Sequence, residues 1–175
     1  MFRFGTWLFV SILCFAAASA FAQGTGQPTD PQIAHIAYTA GQIDIMAGKQ
    51  ALSKSHNKDV TGFAEEMVRD HEAVNKQALA LLDKLKVKPE DNATSKSLAD
   101  AAAKKREELS KLSGPAFDKA YAENEVAYHQ TVNGALEKTL IPDAQNPELK
   151  SLLETGLKLF KQHEQHAETL VSELK

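Results

Sequence analysis

Cysteine is all but missing from this chain. The single one, Cys14, lies in an N-terminal apolar run that reads as an export signal, so the mature chain carries no thiol. Thiolate catalysis, cysteine zinc sites, iron–sulfur clusters and disulfides are excluded, and an oxidising compartment is tolerated without being exploited. Glycines are scattered, which leaves no phosphate-cradling loop and no nucleophile elbow. No basic patch interleaves with aromatics, so nucleic acid is not an expected partner. The run Lys104-Lys105-Arg106-Glu107-Glu108 reads as a solvated helix face. No segment alternates with period two or holds a hairpin turn pair, which argues against any sheet.

The one long apolar run is at the start. Arg3 provides a positive n-region, Trp7 to Ala18 an apolar stretch, and Ala20-Phe21-Ala22 a small-residue cleavage site before Gln23. The run is short for a membrane span. Ile12 and Leu13 ahead of Cys14 do not make a lipobox. The expectation is a cleaved signal peptide over residues 1–22, a disordered leader over 23–29, and one helical domain over 30–175 in the periplasm or secreted, without a transmembrane span. About 150 mature residues suffice for one domain with an adequate core. Arg3 is the only charged residue ahead of the cleavage point, so the formal charge of −3 becomes −4 in the mature chain.

Helical periodicity governs the rest. Asp30-Pro31 reads as an N-cap and first-turn proline opening a helix that runs to about Ser55, with the stripe Ala37, Ala40, Asp44, Ala47, Ala51. A second helix spans roughly Lys58 to Val87, capped by Asn57, with Ala64, Met67, His71, Val74, Ala78, Leu81 and Leu85 on one stripe. A third, about Ser95 to Leu112, has few large apolar residues and reads as a peripheral cover. Ser113-Gly114-Pro115 is a stop. A fourth helix follows to about Leu140 with Ala122, Glu125, His129, Val132 and Leu136 on its stripe and Phe117, Tyr121 and Tyr128 flanking, and Pro142 ends it. Asn146-Pro147 opens the last helix, with Leu152, Gly156, Leu159, His163, Leu170 and Leu174 on its stripe. Two short connections and one long helical one predict an all-α four-helix bundle with a shorter peripheral crossover helix.

Each of the four long stripes carries an ionisable residue near its middle: Asp44, His71, His129 and His163. Mid-helix positions of antiparallel rods share one layer, so the four are expected to converge. An isolated buried carboxylate must be paired or coordinated. Imidazole plus carboxylate suits a divalent transition metal such as zinc, iron or copper, without naming which. Glu66, Asp70 and Glu125 stand close enough to orient the ligating rings from behind. His166 reads as a rim residue, and His35 and His56 as solvated surface.

Gly48-Lys49, the segment from Phe63 to His71 with its Met67-x-x-Asp70-His71 ending, and Gly114 to Tyr121 with Phe117-Asp118-x-x-Tyr121, together with His129 and His163, resemble a bacterial family of secreted proteins known as domain of unknown function 4142. The resemblance covers nearly the whole mature chain and implies a ferritin-like four-helix bundle and an exported location. Asp44, four before the Gly48-Lys49 pair, occupies the place where that family carries an acid. Ferritin-like di-iron oxidases pair Glu and His three apart on two helices. Here Glu125 and His129 are four apart, and Phe160 stands three before His163, so the site reads as mononuclear and ferroxidase chemistry as disfavoured.

The leading expectation is a periplasmic protein that binds, buffers or senses a divalent transition metal through Asp44, His71, His129 and His163, in an envelope stress setting. Turnover is not expected, since no separate acid–base pair or substrate pocket can be read. The alternative is a metal-free structural or protein-interaction module of the cell envelope, with apolar helix faces docking an envelope partner or a second copy. The histidines would then form a polar core network.

Overall fold

The computed structural model describes residues 26–174, and every regular element among them is helical. The elements are α1 (Asp30–Lys54), α2 (Lys58–Leu85), α3 (Ala93–Ser110), α4 (Gly114–Ala135), a π-helical segment (Leu136–Leu140), α5 (Ile141–Asp143) and α6 (Pro147–Glu173). The signal peptide expected over 1–22 and the first leader residues lie outside the described residues. No helix among the described residues is long and apolar enough to cross a membrane.

Local chemistry sets most of the helix ends. The Asn57 side chain accepts from the amides of Asp59 and Val60, and Asn146 from those of Glu148 and Leu149, filling bonds that a helix start leaves open. Asp30 has a different task from the expected N-cap, which falls on Thr29. Its carboxylate accepts from the backbone of Gln145 and Asn146 at 2.8 Å each and ties the start of α1 to the start of α6. Two leader residues are engaged as well, Gln27 with Asp143 and Thr29 with Gln32. α2 ends earlier than Val87 because Lys86 turns into the left-handed region at φ 54. Pro142 does not end the fourth helix as expected. The chain widens into π geometry just before it, with the Ile141 amide on the Leu136 carbonyl, and continues as α5.

Side-chain pairs fix the directions. Lys84 meets Glu148 and Asp70 meets His163, so α2 and α6 are antiparallel. Tyr128 donates to the Ala40 carbonyl while Lys54 lies over the Phe117 ring, so α1 and α4 are antiparallel too. His35 contacts Ser95 near the start of α3, and Lys54 contacts the Ser110 carbonyl at its end. α3 therefore runs parallel to α1 and carries the chain back, leaving α2 and α4 pointing the same way.

The apolar core comes in two blocks. One gathers Ile33, Ile36, Ile43, Val132, Leu136, Leu149, Leu153 and Phe160. The other gathers Ala47, Ala51, Phe63, Met67, Phe117, Tyr121 and Leu170. Along each of α1, α2, α4 and α6 the residues of one block give way to those of the other at a polar position: Asp44, His71, Glu125 with His129, and His163. The stripe on α6 differs from the expected one. Leu153, Phe160 and Ala167 are buried, while Leu152 and Leu159 are half-buried.

Candidate metal centre

Two glycines bring the first two donors together. Gly41 and Gly48 lie three before and four after Asp44, on the face of α1 that meets α2. A Cβ at Gly48 would come within 2.9 Å of Val68 Cγ2 and 3.0 Å of the Ala64 carbonyl; one at Gly41 would come within 2.4 Å of Asn75 Oδ1. Only a bare backbone permits this approach. It places Asp44 Oδ2 3.2 Å from His71 Nε2, although the angle is too poor for a hydrogen bond.

The three expected imidazoles meet. Ring centroids lie 5.8 Å apart for His71–His129, 5.3 Å for His71–His163 and 5.6 Å for His129–His163. One nitrogen from each ring lies within 4.8 Å of the others. Asp44, His71, Glu125, His129 and His163 are all at most 2 % exposed. Phe160 stacks on His71 at 4.6 Å and walls off one side. A tetrahedral zinc site with bonds near 2.05 Å holds its nitrogens roughly 3.3 Å apart, so the rings would close by at most about 1.5 Å.

The partners of two rings decide which nitrogen is free. His129 Nδ1 lies 3.0 Å from the Glu125 carbonyl, which can only accept, so Nδ1 carries the hydrogen. His163 Nε2 lies 3.1 Å from Asp70 Oδ2, and an ionised carboxylate likewise assigns the hydrogen to Nε2. The remaining nitrogens, His129 Nε2 and His163 Nδ1, bear lone pairs and have no protein partner, and neither nitrogen of His71 has one. Burial holds all three rings below the usual imidazole range. For His71 the other two rings add to the effect, and His129 is pushed down to about 4 against its bond to the Glu125 carbonyl. At neutral pH the rings are uncharged.

Glu125 was expected behind the rings and instead stands among the inner groups. Its carboxyl, that of Asp44 and a His129 nitrogen lie within 4.8 Å of one another. Burial, then the neighbouring Glu125 charge and a hydrogen bond to that carboxyl, hold Asp44 well above the usual carboxylate range. Burial pushes Glu125 up to about 7, against the opposing bonds to Asp44 and Asn124. Burial and mutual repulsion thus favour the protonated form at this pair. Asp70 lies behind His163, and Glu66 Oε2 lies 2.6 Å from His166 Nδ1. His35 is not solvated surface: it bonds Ser95 and pairs with Asp91, pinning the start of α3.

A family model described as Domain of unknown function (DUF4142) matches residues 15–170. The chain belongs to that family. No curated protein and no solved structure matches it. The segments by which the chain resembles the DUF4142 family all adjoin the polar layer. Gly48 sets the α1–α2 approach, and Lys49 binds Glu72 at 2.8 Å across it. Met67 is fully buried one turn before His71, and Asp70 holds His163. Phe117 and Tyr121 stack at 6.1 Å in the block beneath Glu125.

Proposed function

We propose that this chain is an exported, periplasmic member of the DUF4142 family that binds, buffers or senses one divalent transition ion inside a ferritin-like four-helix bundle, with α3 as the crossover helix. His71, His129 and His163 are three of its ligands, and one carboxylate of the Asp44–Glu125 pair is the fourth. The observation that carries this reading is the state of the rings. Two of the histidines spend one nitrogen on a carbonyl or carboxylate, the usual way a ligating imidazole is held, and leave the other buried without a protein partner in a cluster whose rings offer nitrogens within 4.8 Å of one another. Leaving such groups unpaired in the interior costs about 1–3 kcal/mol each, which coordination would recover.

Bound there, an ion would supply a charge that offsets the acids and would join α2, α4 and α6 at one level, and α1 too where Asp44 is the fourth ligand. Neutral rings have no proton to lose on binding, whereas a ligating carboxyl must ionise and burial holds both acids toward the protonated form, so affinity should rise with pH. Substrate turnover is not part of the proposal. The apolar cavity beside the layer, lined by Ala34, Ala40, Gly41, Val74, Gly156 and Phe160, offers only the Asn75 side chain for polar recognition.

Elemental analysis of purified mature protein after zinc or cobalt loading, beside His129→Ala, tests the reading. One ion per chain, lost in the variant, is expected; negligible metal in both would end it. The metal-free module remains the second reading because the Asp44–His71 contact and the Asp70–His163 hydrogen bond would also let acids and rings satisfy one another without an ion. Thermal unfolding with and without chelator separates the two, since an ion bound only to the folded state raises the midpoint.

A further inference from the structure

The five inner groups are sealed from water, so an ion has to be handed to them by side chains that reach the surface. One set of donors joins the two environments. Glu66 and Asp70 are four apart on α2, and His163 and His166 three apart on α6, so both pairs face the same seam. His166 Nδ1 lies 2.6 Å from Glu66 Oε2, and His163 Nε2 3.1 Å from Asp70 Oδ2. Ligand atoms of Glu66, Asp70 and His163 all fall within 4.8 Å of one another. Side-chain exposure drops inward along the set, from 48 % at His166 through 30 % at Glu66 and 16 % at Asp70 to 1 % at His163. His163 belongs to both clusters, and its Nδ1 has no protein partner despite full burial.

We propose that the α2–α6 seam is the entry port for the divalent ion. Glu66, Asp70 and His166 capture it from solvent, and His163 passes it to His71 and His129. This rests on the reading of the inner layer as a metal centre. Two carboxylates and an imidazole in water make a weak and readily exchanging site, whereas three imidazoles and a carboxylate in a dry layer make a tight one, so transfer runs inward. Arg69 holds Asp70 Oδ1 at 2.7 Å and is itself largely exposed. A dication takes its place, and the guanidinium leaves to water without being buried. The His35–Asp91–Ser95 group has similar chemistry but no residue in common with the inner layer.

Rapid mixing of metal-free mature protein with cobalt(II), followed by visible absorbance, tests the port against Glu66→Gln/His166→Gln. Neither residue belongs to the inner layer, and circular dichroism verifies that the variant is folded. The variant is expected to reach the same final spectrum and stoichiometry, with association slowed by about tenfold or more and a weaker dependence on salt. Equal rates in the two proteins would overturn the port while leaving the metal centre standing. A changed final spectrum or stoichiometry would also overturn it, by placing these residues in the resident site. Failure of the unaltered protein to take up cobalt would remove the centre itself, and the port with it.

Discussion

The blocks of apolar side chains and the layer between them are equally hidden from water but differ in how well their groups are satisfied. Phe63, Met67, Phe117 and Leu170 are at most 1 % exposed and packed in one block, where the Tyr121 hydroxyl is the one polar atom left without a partner among the cluster's described side chains. His71, Glu125 and His129 are just as buried, yet each has a side-chain nitrogen or oxygen without a protein partner. Close-packed apolar surface stabilises a fold, and unsatisfied polar atoms in the interior oppose it. The blocks hold the helices, and the layer works against that stability unless its buried polar atoms find partners.

The largest expected effect comes from replacing one residue of each kind. Phe63→Ala removes a ring from the packed block and should lower stability by about 3–5 kcal/mol in denaturant unfolding. His71→Leu, similar in volume, should leave metal-free stability unchanged or raise it by about 1 kcal/mol, as other buried polar groups do when replaced by apolar ones. It should also abolish the stabilisation by zinc, which in the unaltered protein is about 2.7 kcal/mol at a hundredfold excess over the dissociation constant. A loss in His71→Leu as large as that in Phe63→Ala would erase the distinction between block and layer.

Gly48→Ala probes how the blocks position the layer. The added methyl meets the Ala64 carbonyl at 3.0 Å and Val68 Cγ2 at 2.9 Å, so α1 must move away from α2. Overpacking of this kind costs about 1–3 kcal/mol. Zinc affinity should fall as well, because Asp44 retreats from His71. Calorimetric titration showing unchanged affinity would mean that the α1–α2 approach does not set the site.

The smallest expected effect is on pH dependence of the metal-free protein. The histidines titrate below their unfolded range, so the stability they add is lost as pH falls from neutral toward 4. Asp44 and Glu125 titrate above theirs, so the folded state holds extra protons and loses stability as pH rises from the ordinary carboxylate range, up to about 7 for Glu125. The histidines act in the opposite direction over much of that range, so comparison with Glu125→Gln isolates the acids. Between pH 5 and 7 the unaltered protein should lose stability relative to the variant, by up to about 1.4 kcal/mol per pH unit for each titrating group. Denaturant melts of both proteins at pH 5, 6 and 7 check this. An equal pH slope in the two would assign the loss to other groups.

Much of this layer could be read from spacing alone. Asp44, His71, His129 and His163 stand near the middles of four helices, and rods packed side by side bring such positions to one level. The role of Glu125 was hidden because its place on the His129 stripe suited a residue behind the ring as well as one beside it. Which leucines of α6 face inward was ambiguous, since Leu152, Leu153, Leu157 and Leu159 crowd adjacent positions and only packing chooses among them. The π turn before Pro142 has no local signature beyond the proline, which usually reads as a stop. The pairing of His166 with Glu66 depends on the α2–α6 register, a tertiary property that neither helix states by itself.

Anomalous diffraction from crystals of the mature protein loaded with zinc or cobalt bears most directly on the claim that the layer is a metal centre. One peak is expected among His71, His129 and His163, with ring nitrogens roughly 2.0–2.2 Å from the ion and a carboxylate of Asp44 or Glu125 completing the set. Crystals showing no peak there, with the three rings unmoved after loading, would contradict the account.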